Sequence, residues 1–121
     1  ALATTVAHDS HNLLLAGADD QSLATAAAAI KRLGGGHVVA RGDRVLAELP
    51  LPLAGLMSDL PAAEAVQRSR ALQQAAVQLG CRLSRPFMTL SFLALPVIPH
   101  LKLTDGGLFD VDHFRFTSLT P

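Results

Sequence analysis

The chain has 121 residues, half of them hydrophobic and 17% charged, with ten basic residues balancing ten acidic ones. That length suits one domain around a single core, and the charge balance gives no electrostatic reason to expect nucleic acid or an anionic membrane as a partner. A single cysteine, Cys81, rules out an internal disulfide and favours the cytoplasm.

In chain order, Leu2 to Ala7 and Leu13 to Ala16 are short apolar or β-branched runs, which predicts two strands joined by a polar loop at a sheet end. A helix follows from Asp19 or Asp20, which can cap it. Leu23, Ala27 and Ile30 share a face, Lys31 and Arg32 sit near the C-terminus, and Gly34 suits the left-handed position after the last turn. The alanine run from Ala26 to Ala29 lets a sheet approach closely. Next, His37 to Arg41 and Arg44 to Leu49 read as strands around Gly42 and Asp43, a two-residue loop whose leading glycine fits a type II′ turn. A parallel arrangement of the strands at Leu13 and Val38 would make the first helix a crossover.

After PLPLAGLMSD, a second helix is expected from Ser58 or Asp59 to Leu79, with Pro61 in its first turn and Gly80 ending it. Val66, Leu72, Ala76 and Leu79 trace its expected buried stripe. From Phe87 to Pro99 thirteen residues carry no charge. The run is shorter than the roughly 20 apolar residues a membrane helix needs, and Pro96 and Pro99 interrupt a helix, so burial within protein is expected. Periodicity leaves Phe87 to Leu95 open between helix and strand, and Leu108 to Phe116 reads as a strand or an irregular tail. The predicted fold is α+β: a small mixed sheet with two main helices, in the order β-β-α-β-β-α, followed by an irregular apolar C-terminal segment. The low share of charge predicts surface hidden against a partner. The opening ALATTVAHDSHN has neither the basic start nor the apolar core of a signal peptide.

The densest polar cluster is His8, Asp9, Ser10, His11 and Asn12. Imidazole and carboxylate both bind zinc or manganese, yet structural zinc takes four protein ligands, and Cys81, His37, His100 and His113 form no second clustered pair. A Ser10, His11, Asp9 triad fails because adjacent side chains in an extended loop point apart, whereas triads are assembled from separated positions. Two readings stay open for HDSHN: a loop in which Asp9, Ser10 and Asn12 satisfy backbone donors, or an interface element. The glycines Gly34 to Gly36 close a helix and so do not form a phosphate cradle, which would open one. Arg41 to Asp43, an RGD, is turn chemistry. Cys81 is expected to be a buried, inert thiol, and Met57 and Met88 gap-filling core residues. Phe87, Phe92 and Phe109 could stack on a purine but fit a core equally. Asp105, Gly106 and Gly107 mark a turn.

HDSHN, the LGGG at Leu33 to Gly36, GLMSDLP at Gly55 to Pro61, and FMTLSFLALPVIP followed by HLKLTDGGLFDV together resemble the C-terminal domain of bacterial adenine deaminases, of the amidohydrolase superfamily. The likeness runs from about Leu2 to Phe116. It implies that the catalytic metal site, a binuclear manganese or iron centre, lies in a (β/α)₈ barrel N-terminal to this domain, and that the chain itself holds no catalytic residue, metal ligand or cofactor. It also implies that the domain is truncated at its N-terminus and partners the missing barrel and further copies in a homo-oligomer, and that the isolated chain is inactive. HDSHN would then face the barrel or its bound adenine. The alternative is an independent small-molecule binding or regulatory module sharing this domain.

Overall fold

A computed structural model describes residues 1–120. Four strands, β1 (Leu2–Thr4), β2 (Leu14–Ala16), β3 (Gly36–Arg41) and β4 (Arg44–Pro50), form a sheet in the order β2-β1-β3-β4. The helix α1 (Asp20–Leu33) leads from β2 to β3. These two strands run in the same direction, as expected, but β1 lies between them, so every hydrogen-bonded pair is antiparallel.

Alternation along the strands sends side chains to two cores. Ala3, Val38 and Ala40 pack against Ala26, Ala29 and Ile30 of α1. On the other face, Val39, Leu49 and Leu51 pack against Leu72 and Ala75 of α2 (Ala62–Gln78). The buried face of α1 is thus turned slightly from the expected one, with Leu23 and Ala27 only half-buried. The small side chains Ala26 and Ala29 supply the close approach that their lack of atoms beyond Cβ allows.

Local signals place the helix ends. Asp19 accepts the Ser22 backbone N–H at 2.7 Å, capping α1. Gly34 takes φ 72°, and the Gly35 and Gly34 N–H groups donate to the Ile30 and Lys31 carbonyls, a Schellman closure. The same closure recurs after α2, where Gly80 has φ 88° and the Cys81 N–H reaches the Ala76 carbonyl at 3.0 Å. Gly42 alone in the β3–β4 loop has positive φ, as a type II′ turn requires.

Four expectations need correction. The second helix starts at Ala62, because the Ser58 hydroxyl accepts the nearby Leu60 N–H at 3.3 Å and Pro61 stays extended at ψ 141°. Val66 is 51% exposed: it lies six positions before Leu72, about 120° round the helix from the stripe that meets the sheet. The apolar run folds as α3 (Pro86–Ser91) and a single 3₁₀ turn (Phe92–Ala94), which bury Leu90, Ser91 and Ala94 while Met88, Leu93 and Val97 remain exposed. A helix that short has one face on the sheet and another turned outward. Met57 and Met88, at 62% and 53% exposure, are therefore not core residues.

The C-terminal segment is more regular than its sequence suggested. Strands β5 (Leu101–Thr104), β6 (Gly107–Asp110) and β7 (Arg115–Phe116) form a separate antiparallel meander, with Asp105 and Gly106 as the first turn. Phe109 holds Phe114 and Phe116 edge-on at 5.3 and 5.2 Å. Among the described residues, no helix is long and apolar enough to cross a membrane.

Candidate functional site

The antiparallel register brings the end of β1, the starts of β2 and β3, and the end of β4 to one end of the main sheet: Thr4 faces Leu14 and His37, and Gly36 faces Pro50. HDSHN spans β1 to β2 there, LGGG leads into β3 there, and the loop containing GLMSDLP leaves β4 there. Segments far apart in sequence therefore share one surface.

A hydroxyl ties them together. Thr5 Oγ1 accepts the Gly36 N–H at 2.9 Å and donates to the Gly55 carbonyl at 2.5 Å, while the Thr5 N–H donates to the Gly36 carbonyl at 3.1 Å. The glycines here do more than end a helix. A Cβ on Gly36 would run into the Leu49 carbonyl oxygen, and one on Gly35 would meet the Gly55 Cα, with φ 153° and 127° at the two positions. The Gly35 carbonyl in turn accepts the Leu51 N–H at 3.0 Å.

The base of the HDSHN loop is clamped by its backbone. Ala7 is fully buried, the His8 N–H donates to the Ser91 carbonyl at the end of α3 at 2.9 Å, and the His11 N–H to the Ala7 carbonyl at 2.6 Å. The half-buried His8 ring lies 4.8 Å from Phe92 and 5.8 Å from His11. Asp9, Ser10, His11 and Asn12 are exposed, and His11 adopts φ 52°, an uncommon conformation for a residue with a Cβ. Among the described residues, none of the five side chains makes a hydrogen bond or ion pair. The expectation that Asp9, Ser10 and Asn12 satisfy the loop's own backbone donors is thus corrected, because backbone carbonyls and the end of α3 fill that role. Ser10 and Asn12 form one wall of an open depression of about 320 Å³, with Leu13, Ala94, Leu103 and Asp105 around it.

His37, at the start of β3, packs its ring against Phe87 with the centroids 4.7 Å apart and the planes tilted by 52°, and its buried Nδ1 has no hydrogen-bond partner. Burial lowers its pKa from 6.5 to about 4, so it stands neutral. In the sequence this residue is no more than a lone histidine in an apolar strand. Phe87 and Phe92, considered as stacking surfaces for a purine, pack instead against the His37 and His8 rings. Cys81 is half-buried beside Leu83 and Leu90 in a small apolar groove.

No three His, Cys, Asp or Glu side chains among the described residues gather as a metal-ligating set. The donor set at this end therefore does not fit a binuclear metal centre: the His8 and His11 rings, edge-on at 5.8 Å, are too few ligands for even one zinc-like site. A larger open depression, about 500 Å³, lies at the opposite end of the sheet beside Asp19, Ser22 and Arg41. Two of its polar side chains, Asp19 and Ser22, are already bonded in capping α1, whereas all five in HDSHN are unbonded, which makes the HDSHN end the better candidate.

Comparison with known proteins bears on the same segments. The family model for the adenine deaminase C-terminal domain matches residues 1–115. The chain is 54% identical over 116 residues to the adenine deaminase of Brucella abortus (strain 2308), covering 96% of this chain and 20% of that protein. It is 56% identical over 115 residues to that of Methylobacterium nodulans (95% and 20%) and 51% identical over 119 residues to that of Desulfatibacillum aliphaticivorans (98% and 21%). The chain thus spans about a fifth of the length of the curated relatives it matches. With its folded core and its HDSHN end both inside the matched residues, this chain belongs to the adenine deaminase C-terminal domain family.

Proposed function

We propose that this chain acts as the C-terminal domain of an adenine deaminase, which converts adenine and water to hypoxanthine and ammonia in purine salvage, and that its HDSHN end faces the catalytic barrel. The observation that carries this reading is a polar loop whose base is rigidly held while its side chains are left unbonded. Exposed polar groups with no internal partner are available to a surface outside the chain, and domain boundaries are common ligand sites. His8 or His11 supplies one hydrogen bond near the pocket, and Asp9, Ser10 and Asn12 meet the barrel. The metal centre, manganese or iron, belongs to the barrel. The isolated chain is accordingly inactive. Outward-facing Leu83, Met88, Leu93 and Val97 support contacts with the barrel or with further copies in a cytoplasmic homo-oligomer.

The test is His8→Ala and His11→Ala in the full-length enzyme, measured for kcat/KM, metal content and melting temperature. A loss of tenfold or more, about 1.4 kcal/mol, with metal and stability intact is the expected result for at least one of them. Wild-type kinetics in both variants would sink the reading, as would a loss that merely follows melting temperature. Ammonia release by the isolated chain above a buffer blank would refute its inactivity.

A further inference from the structure

We infer that Thr5 is a positioning residue: its hydroxyl sets the Leu53–Met57 turn beside the HDSHN loop, making the turn a second contact element of the same face. The inference rests on the barrel-facing role proposed for HDSHN. A hydroxyl has one proton to donate and two lone pairs to accept with. At Thr5 the proton goes to the Gly55 carbonyl at 2.5 Å, since the alternative Gly36 carbonyl is 3.5 Å away, and a lone pair takes the Gly36 N–H at 2.9 Å. Both glycines are buried, so neither backbone group can turn to water if the hydroxyl is lost. One side chain thus joins the end of β1 to the start of β3 and to a turn fifty residues further on.

That turn is built to hold a fixed shape. Leu53 and Met57 exchange backbone hydrogen bonds at 3.2 Å in each direction, and the Leu56 N–H donates to the Leu53 carbonyl at 3.0 Å. Ala54 sits at φ 57° and Gly55 at φ 74°. An alanine held in the left-handed region is a strained residue that its surroundings must impose. The turn presents Leu53 and Met57, 49% and 62% exposed, toward solvent. The turn leaves β4 at the sheet end where the unbonded HDSHN loop leaves β1, and that loop starts only three residues after Thr5. Between them, Val6 donates its N–H to Thr4 Oγ1 at 3.0 Å and His8 donates to Ser91, so displacement at Thr5 has little slack to absorb it.

The experiment compares full-length enzymes carrying Thr5→Val, Thr5→Ser, His8→Ala, His11→Ala and the double variant Thr5→Val/His8→Ala, with adenine as substrate. Thr5→Val keeps the side-chain shape and removes both bonds. It is expected to lower kcat about tenfold, with KM little changed and metal content intact, since small displacements cost rate rather than ground-state binding. Thr5→Ser keeps the hydroxyl and should restore kcat to within about twofold of wild type. The double variant should lose little beyond the larger single loss, because both changes act through one contact surface. Wild-type kinetics in Thr5→Val alongside a loss in a histidine variant overturns this inference alone. Wild-type kinetics in both histidine variants overturns the HDSHN reading and this inference with it. Losses that multiply in the double variant, or that follow melting temperature across the set, also overturn the inference. Should Thr5→Val not fold, Thr5→Cys, with its weaker donor, makes the same comparison: a loss of kcat supports the inference and unchanged kinetics overturns it.

Discussion

The two ends of the main sheet both carry polar side chains and use them differently. At one end Ser22 Oγ donates to Asp19 Oδ2 at 2.7 Å and accepts the Gly42 N–H at 2.8 Å, while Thr25 Oγ1 donates to the Gly42 carbonyl at 2.7 Å. The start of α1 is stitched to the β3–β4 turn, and the RGD sequence has its glycine fully engaged in that stitching. In the HDSHN loop at the other end the backbone makes the bonds and the five side chains make none. A polar cluster consumed by its own fold is structural, whereas one held in place yet unbonded is free to meet another surface. Composition does not separate the two.

The largest expected effect comes from breaking the junction that holds the free end in place. Gly36→Ala drives a Cβ into the Leu49 carbonyl oxygen at φ 153°, where the obstacle is backbone and cannot rotate away. It should cost on the order of 3 kcal/mol or more, read as loss of soluble folded chain or of the thermal transition by circular dichroism. A near-wild-type transition would mean that the close approach at this junction is not needed.

The next effect sharpens the comparison by pH. His37 lies at the free end with its pKa lowered to about 4 by burial. In the unfolded chain it binds a proton near pH 6.5, while the folded state resists doing so until about pH 4. Its neutral state therefore contributes no penalty above about pH 6.5, and stability falls as pH drops through that window, by up to about 3 kcal/mol. His37→Leu removes both the titration and the unpartnered Nδ1. Urea denaturation between pH 7 and 4 should show a flatter profile in the variant, and parallel profiles would contradict the assignment.

The smallest effect is the contrast between two serines. Ser22→Ala leaves the half-buried Gly42 N–H without its acceptor and should cost about 1 kcal/mol, with no kinetic consequence in the full-length enzyme. Ser10→Ala should change stability by less than about 0.5 kcal/mol. Equal costs in denaturant titrations would erase the distinction between the two ends.

Much of the fold is legible in the sequence because its signals act over a few residues. Asp19, Gly34 and Gly80 fix helix ends through bonds to groups within five positions, and Gly42 sets a hairpin through its own φ. The α+β order and the polar loop between the first two strands followed from such signals. The start of α2 was misplaced for the same kind of reason, since Ser58 had a competing local bond and Pro61 an extended ψ that composition does not display. The outward faces of Met57, Val66 and Met88 were not legible either, because hydrophobicity favours burial without saying which face of an element finds a neighbour.

For the candidate site, the sequence by itself determined that HDSHN is a dense polar loop at a strand end, and the resemblance of its motifs assigned the family. Only the tertiary structure decided that LGGG and GLMSDLP lie at that same end, joined by a threonine hydroxyl across 31 and 50 residues. It also decided that the HDSHN side chains are left unbonded while the backbone beneath them is clamped. Bonds between segments so far apart exist only once antiparallel register has brought strand ends together, and that register is set by burial on both faces of the sheet rather than by any local preference.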